Sequence, residues 1–280
     1  MLNFNDATEK TRRIMNDPKN FNRFRGIVKA NNKKHLKQLI AVGIKILGND
    51  GNFNWIDTSE ITDMSELFRN KSKFNGHIEL WDVSKVTSMG GMFYGAESFN
   101  QPIGDWDVSN VNNMGYMFYY AESFNRPIGD WDVSNVTNMN HIFAGAESFN
   151  QPIGDWDVAS VTNMRGMFYW TGLFNQPIGD WDVSNVTNME GMFQLAKSFN
   201  QPIGDWDVSN VTDMQSMFYD ADSFKQDLSK WKLKSDCNTY KIFYKCPIKE
   251  EYMPNGIWIS KGVYESNMKL LTDLGDSELD

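Results

Sequence analysis

The chain has 280 residues, a formal net charge of −9 and 14% aromatic residues, which is the composition of a folded protein and not of a disordered one. No apolar run reaches the roughly 18 residues that a bilayer span requires, and the opening stretch MLNFNDATEKTRRIMNDPKNF lacks the apolar core and small-residue site of a signal peptide. Residues 81–230 hold 6 Lys/Arg against 19 Asp/Glu, whereas residues 1–50 hold 11 against 4, and so acidic a body argues against nucleic acid as the main partner.

Taken in chain order, residues 1–50 read as a basic helical N-terminal cap. In ANNKKHLKQLIAVGIKILGND the residues Leu36, Leu39, Ile40, Val42, Ile46 and Leu47 form an apolar stripe, and Gly48 ends the helix. From residue 51 a repeat takes over. Trp81, Trp106, Trp131, Trp156, Trp181, Trp206 and Trp231 are spaced by 25 residues, and columns of Met and Phe keep the same period without an insertion. Ile56 holds the Trp place in the first copy. Seven full units run from 56 to 230 and a degenerate eighth follows, so residues 51–255 form one repeat domain. Residues 256–280 add a short helix or an acidic tail.

Within a unit the apolar pattern is Ile103-x-x-Trp106-x-Val108-x-x-Val111-x-x-Met114-x-x-Met117-Phe118. Trp106 and Val108 alternate as on a short strand. The spacing from Val111 onward predicts a short helix or 3-10 stretch, with Asn110 or Asn112 at its start. Pro102 and Gly104 mark the turn between units. One unit cannot bury its apolar face alone, whereas stacked units can. The expected fold is therefore an α/β repeat: a leucine-rich-repeat-like solenoid with short parallel strands, short helices or 3-10 turns, and a helical N-terminal cap. The repeated Phe-Asn step predicts a buried Phe column beside an Asn ladder that satisfies turn backbone from rung to rung. Cys246 falls at the Ala position of the repeat and reads as a small core residue, with a disulfide to Cys237 the less favoured option.

The unit W-D-V-S-N-V-T-N-M-x-x-M-F-x-x-A-x-S-F-N-Q-P-I-G-D resembles the BspA-type leucine-rich-repeat proteins, closest to the 25-residue branch common in bacterial surface lipoproteins. The resemblance covers about residues 51–250. It implies a binding protein displayed at the cell surface and linked to adhesion to host proteins or other cells. The chain shows no signal peptide, lipobox or wall anchor, so its residues alone point to a cytoplasmic place and the resemblance to the surface or a secreted form.

Two surfaces stand out as candidate sites. Each Gly-Asp-Trp-Asp step places carboxylates outward when Trp and Val point inward. One column is Asp82, Asp107, Asp132, Asp157, Asp182 and Asp207, and a second is Asp105, Asp130, Asp155, Asp180 and Asp205. Like charges about 5 Å apart repel by roughly 1 kcal/mol in water. Three things offset this: local hydrogen bonds from Ser, Asn and turn N–H groups, a basic protein or peptide along the face, or Ca²⁺. The second surface lies where the copies differ, after each Met-Phe pair. Tyr119, Tyr120, Tyr169, Trp170, Leu173 and Leu195 form an aromatic patch there, read either as a partner site or as a cover for the core. The Trp column reads as core, because an Asp column cannot be the buried face.

Enzyme chemistry finds little support, and an enzyme is the remote fourth reading. His35, His77 and His141 occupy unrelated places without metal-ligand spacing, and no nucleophile–base set or phosphate-cradling glycine motif is present. The expectation is a non-catalytic protein-binding solenoid without a cofactor and without membrane insertion. It is an adhesin-like surface protein, or else an intracellular scaffold or delivered effector; a calcium-stabilised array is a further option.

Overall fold

A computed structural model describes residues 28–257 of the chain. The readings made on residues 1–27 and 258–280 lie outside the described residues. Strand β1 (Val28–Lys29) pairs in parallel with β2 (Ile56–Asp57), and helix α1 (Lys33–Leu47) lies between them in sequence. Asn32 caps α1, its side chain accepting the His35 N–H at 2.9 Å. Gly48, at φ 79, ends the helix, and its N–H donates to Ile44 O. The stripe that faces the repeats is narrower than its sequence suggests. Leu36, Ile40 and Gly43 are buried, while Val42 and Ile46 are about 40% exposed. A Cβ at residue 43 would meet the ring of Phe53, so glycine lets the helix close down on the first unit.

From Asp63 to Asn238, single-residue parallel bridges join each unit to the next: Asp63 to Ser88, Ser88 to Asn113, Asn113 to Asn138, and onward at the same interval to Asn238. These bridges open a longer ladder. Met89 N–H donates to Asn113 O at 2.9 Å, Gly91 to Gly115 O at 2.8 Å, Phe93 to Met117 O at 2.8 Å and Gly95 to Tyr119 O at 2.7 Å. The N–H groups between them close turns inside their own unit: Met92 to Met89 O, Tyr94 to Gly91 O and Ala96 to Phe93 O. Alternate donors thus serve the neighbour and the unit itself.

This arrangement corrects two expectations. The stretch read as a short helix or 3-10 stretch is a run of linked turns, because either helix would consume within the unit the N–H groups that the ladder sends to its neighbour. The strand expected at Trp106–Val108 is absent too. There Trp106 N–H turns back to Ile103 O and Val111 N–H to Val108 O, and the pairing sits instead on Asn113. The expected caps have other duties: Asn110 Nδ2 donates to Ser84 O at 2.7 Å, and Asn112 N–H donates to Thr87 O at 2.9 Å.

Two columns of phenylalanine fill the interior. Phe93 lies 5.5 Å from Phe118 along one column, Phe99 lies 6.0 Å from Phe124 along the other, and Phe93 and Phe99 stack at 3.8 Å between them. The Trp column packs beside the first, with Phe93 6.4 Å from Trp106, and its members are no more than 4% exposed. Buried indole N–H groups need acceptors. Trp131, Trp156, Trp181, Trp206 and Trp231 each donate to the carbonyl of the Ile 28 residues earlier, at 3.0–3.1 Å. An Asn ladder runs outside the Phe columns: Asn100, Asn125, Asn150, Asn175 and Asn200 each accept, on the side-chain oxygen, the N–H of the residue one unit on. Thr171, which stands where other units have Ala, is buried and donates to Phe143 O at 2.7 Å. Cys246 is buried at the same position, both cysteines are free, and burial pushes the Cys246 thiol up to about 12. At the far end Trp231 remains buried, and a 3-10 turn at Glu250–Tyr252 supplies Tyr252 O to the Leu228 N–H.

Candidate functional site

Both acidic columns are exposed, but their carboxylates differ in their ties. Asp107 Oδ1 accepts the Ser109 N–H at 3.1 Å and the Ser109 hydroxyl at 2.6 Å. Asp82 and Asp132 repeat both bonds; Asp157, Asp182 and Asp207 show the backbone bond to residue i+2. Each closes a local Asx turn. The serine hydroxyl first, and then the backbone N–H, hold the carboxyls of Asp82, Asp132, Asp182 and Asp207 below the usual carboxylate value, although Asp207 slightly opposes this at Asp182. In the other column, Asp105, Asp130, Asp155, Asp180 and Asp205 are also exposed, and Lys230 reaches Asp205 at 2.6 Å. Among the described residues, no group of three His, Cys, Asp or Glu side chains is placed to hold a metal ion.

The varied surface has a backbone signature that the sequence did not reveal. Ladder turns require left-handed residues at two places in each unit. The first series is Glu66, Gly91, Tyr116, His141, Gly166, Gly191, Ser216 and Lys241, and the second is Asn70, Gly95, Tyr120, Gly145, Trp170, Leu195, Asp220 and Lys245, all with φ between 51° and 70°. Glycine is the unstrained occupant of such a position, and a side chain there costs roughly 1–2 kcal/mol. Five of these places hold Gly and eleven do not, so glycine's advantage is set aside at most of them. Tyr116, Tyr120, His141, Trp170 and Leu195 are the aromatic and aliphatic cases, beside the charged Glu66, Asp220, Lys241 and Lys245.

The rings of Tyr116, Tyr120, His141 and Trp170, joined through Tyr119, form a ridge. Tyr120 meets Tyr119 at 4.7 Å and Trp170 at 6.3 Å, both edge-on. Its ring lies over Gly145, where a Cβ would collide with it. Tyr169 lies close enough to add to the upward shift that burial first gives the Tyr119 and Tyr120 hydroxyls. Trp170 is 46% exposed and Leu173 57%, while Leu195 is half-buried. The patch read from the sequence therefore has Tyr119, Tyr120 and Trp170 in ring contact. It also continues into residues not anticipated: Tyr94 stacks on Tyr119 at 4.6 Å, and Tyr116 stacks on His141 at 4.9 Å. The 25-residue register could have found Tyr116 and His141, which share one position. What hid them was the expectation of a helix, which gives that position no special backbone.

His141, set aside in the sequence, packs over Gly166 with its Nδ1 shielded and unpartnered. Burial, and then the nearby Arg165 charge, lower its pKa from 6.5 to about 4. At pH 7 the imidazole is neutral, and it stacks on the Tyr116 ring.

Repeated units with short parallel pairings and few helices define a tandem-repeat protein. Residues 44–156 and 142–253 each match the family described as "Mycoplasma protein of unknown function, DUF285", and the chain belongs to that family. Neither the curated proteins nor the solved structures contain a match to it. No helix among the described residues is long and apolar enough to cross a membrane.

Proposed function

We propose that the chain is a non-catalytic binding protein, a capped leucine-rich-repeat-like solenoid of the BspA type, that docks a protein or peptide on its aromatic ridge. The observation that carries this reading is the placement of Tyr116, Tyr120, Trp170 and Leu195 at backbone positions where glycine is the unstrained choice. Tyr116 and Trp170 are exposed and Tyr120 and Leu195 half-buried, and strain kept at such positions points to a use for the side chain beyond the fold. Ring contacts link Tyr116, Tyr119, Tyr120 and Trp170, as in the aromatic anchors that dominate binding interfaces. A rigid ladder beneath them keeps the ordering loss on binding small. The Asp107-type carboxylates serve their own turns first, so the acidic face ranks second, steering a basic partner toward the ridge.

An adhesin-like role at the cell surface fits this reading and the resemblance of the repeat. Beads coated with the full chain are expected to adhere to animal cells or to immobilised extracellular-matrix proteins. Beads coated with a Tyr120→Gly/Trp170→Gly/Leu195→Gly variant are expected to lose most of that adhesion. Equal adhesion by both would remove the ridge from the account. Protease treatment of intact native cells tests the location: digestion with a cytosolic marker spared supports the surface role, and protection until lysis favours an intracellular scaffold or a delivered effector.

A further inference from the structure

One unit breaks the repeat at a single place on its surface. Where the units on either side carry Ala-Glu-Ser or Ala-Lys-Ser, the unit from 156 to 180 carries Thr171-Gly172-Leu173, directly after Trp170. Trp170 and Leu173 are 46% and 57% exposed. Neither backbone nor packing calls for glycine at 172: its φ lies outside the left-handed region, and a Cβ there would meet nothing within 4 Å. What glycine does there is remove a charge, since the same position holds Glu97, Glu122, Glu147, Lys197 and Asp222 in other units. A backbone tie opens at the same place. Ser123 N–H donates to Glu97 O and Ser148 N–H to Glu122 O, both at 3.0 Å, whereas Leu173 N–H has no backbone acceptor among the described residues. The result is an apolar notch in a charged column.

The two sides of the notch differ. On one side the charge is already met, because Lys197 Nζ pairs with Asp220 at 2.9 Å and Asp222 at 3.0 Å. On the other side Glu97, Glu122 and Glu147 are exposed, and among the described residues none of them pairs with a cation. Burial, and then the Glu147 and Glu97 charges, raise the Glu122 carboxyl above its ordinary value, as like charges in adjacent units do. Glu122 and Glu147 also lie close enough to Tyr120 to add to the upward shift that burial first gives its hydroxyl. Tyr120 in turn meets Trp170 edge-on at 6.3 Å, so unmet carboxylates, ring and notch are continuous.

Such a surface suits a chain that presents an apolar side chain next to a positive charge. A second copy would bring its own acidic body, with 6 Lys/Arg against 19 Asp/Glu over residues 81–230, onto these carboxylates. We propose that the notch at Trp170, Gly172 and Leu173 seats a bulky apolar side chain from a peptide segment of a partner protein, with a Lys or Arg of the same segment over Glu122 and Glu147. The inference rests on the protein-docking reading of the ridge and adds the chemistry of what docks there. It uses a different acidic column from the Asp107 type, one with no Asx turn to serve.

Short random peptides displayed on phage are selected against the full chain, and the selected sequences are synthesised and titrated by fluorescence anisotropy. The expected sequences place a bulky apolar residue within a few residues of Lys or Arg. Gly172→Glu/Leu173→Ser, which installs the residues of the neighbouring units where a side chain has room, is expected to raise Kd at least tenfold. Glu122→Gln/Glu147→Gln is expected to raise Kd at least fivefold and to flatten its rise with salt. Peptides that lack a basic residue, lose affinity in Trp170→Gly and bind the glutamine variant as tightly as the parent overturn the inference and leave the ridge reading standing. Basic peptides that bind Gly172→Glu/Leu173→Ser as tightly as the parent overturn it too, since their site lies elsewhere. Failure to select any peptide weakened by Trp170→Gly overturns both readings. Self-association of the full chain in sedimentation, abolished by Gly172→Glu/Leu173→Ser, would make a second copy the occupant and overturn the inference as well.

Discussion

Phe168 and Trp170 lie two residues apart in one unit and answer to different demands. Phe168 recurs at the same register in every unit, is fully buried, and stacks on Phe143, Phe174 and Phe193. Trp170 is 46% exposed, sits at φ 54, and shares its register with Asn70, Gly95, Tyr120, Gly145 and Leu195. Where the units agree, the side chain makes the stack. Where they disagree at a left-handed position, the stack asks only for glycine's backbone freedom, and the side chain is left for another task.

The largest effect that sharpens this contrast is truncation of the core. Phe168→Ala is expected to cost about 3–5 kcal/mol, read from chemical unfolding. Next is the Asn ladder. Asn150 accepts the Asn175 N–H and the Gln176 amide, and Asn150→Ala is expected to cost about 1–2 kcal/mol because two half-buried donors lose their acceptor. Asp132→Ala removes one Asx turn and is expected to cost about 1 kcal/mol. A gain in stability there would place the acidic column among the strained surfaces and not the folding ones.

Acidification separates the two regions further. The His141 pKa is lowered from 6.5 to about 4, so the unfolded chain binds the extra proton and stability falls as pH drops through that window. Thermal melts from pH 7 to pH 4 are expected to show this slope, and His141→Gly is expected to flatten it. The depressed carboxyls of Asp82, Asp132, Asp182 and Asp207 act at lower pH. Their contribution is complete above the ordinary Asp value of 3.8 and is lost as pH falls below it through their folded values. His141→Gly is expected to leave that second loss in place. The smallest effect belongs to Trp170→Gly, where relief of a left-handed side chain offsets loss of a half-exposed ring and the net change stays within about 1 kcal/mol.

Much of this was legible in the sequence because a 25-residue register repeats every cause along with every effect. The burial of Trp106 and its equivalents followed from their alternation with Asp107, and the Asn100–Asn125 ladder followed from the Phe-Asn step. The path of the backbone did not follow. Met114, Met117 and Phe118 have a spacing that suits one face of a helix, yet the same residues point inward from linked turns, since both geometries bury the same side chains. Periodicity reports which residues go in and not which hydrogen bonds hold them. For the same reason Tyr116 and His141 escaped notice as ridge residues.

The most direct measurement is the unfolding free energy of Trp170→Gly beside that of Phe168→Ala, in the same chain and buffer. The account predicts a change within about 1 kcal/mol for the first against about 3–5 kcal/mol for the second. Comparable losses in both would show that Trp170 is held for the fold, and the ridge would lose its claim as the binding surface.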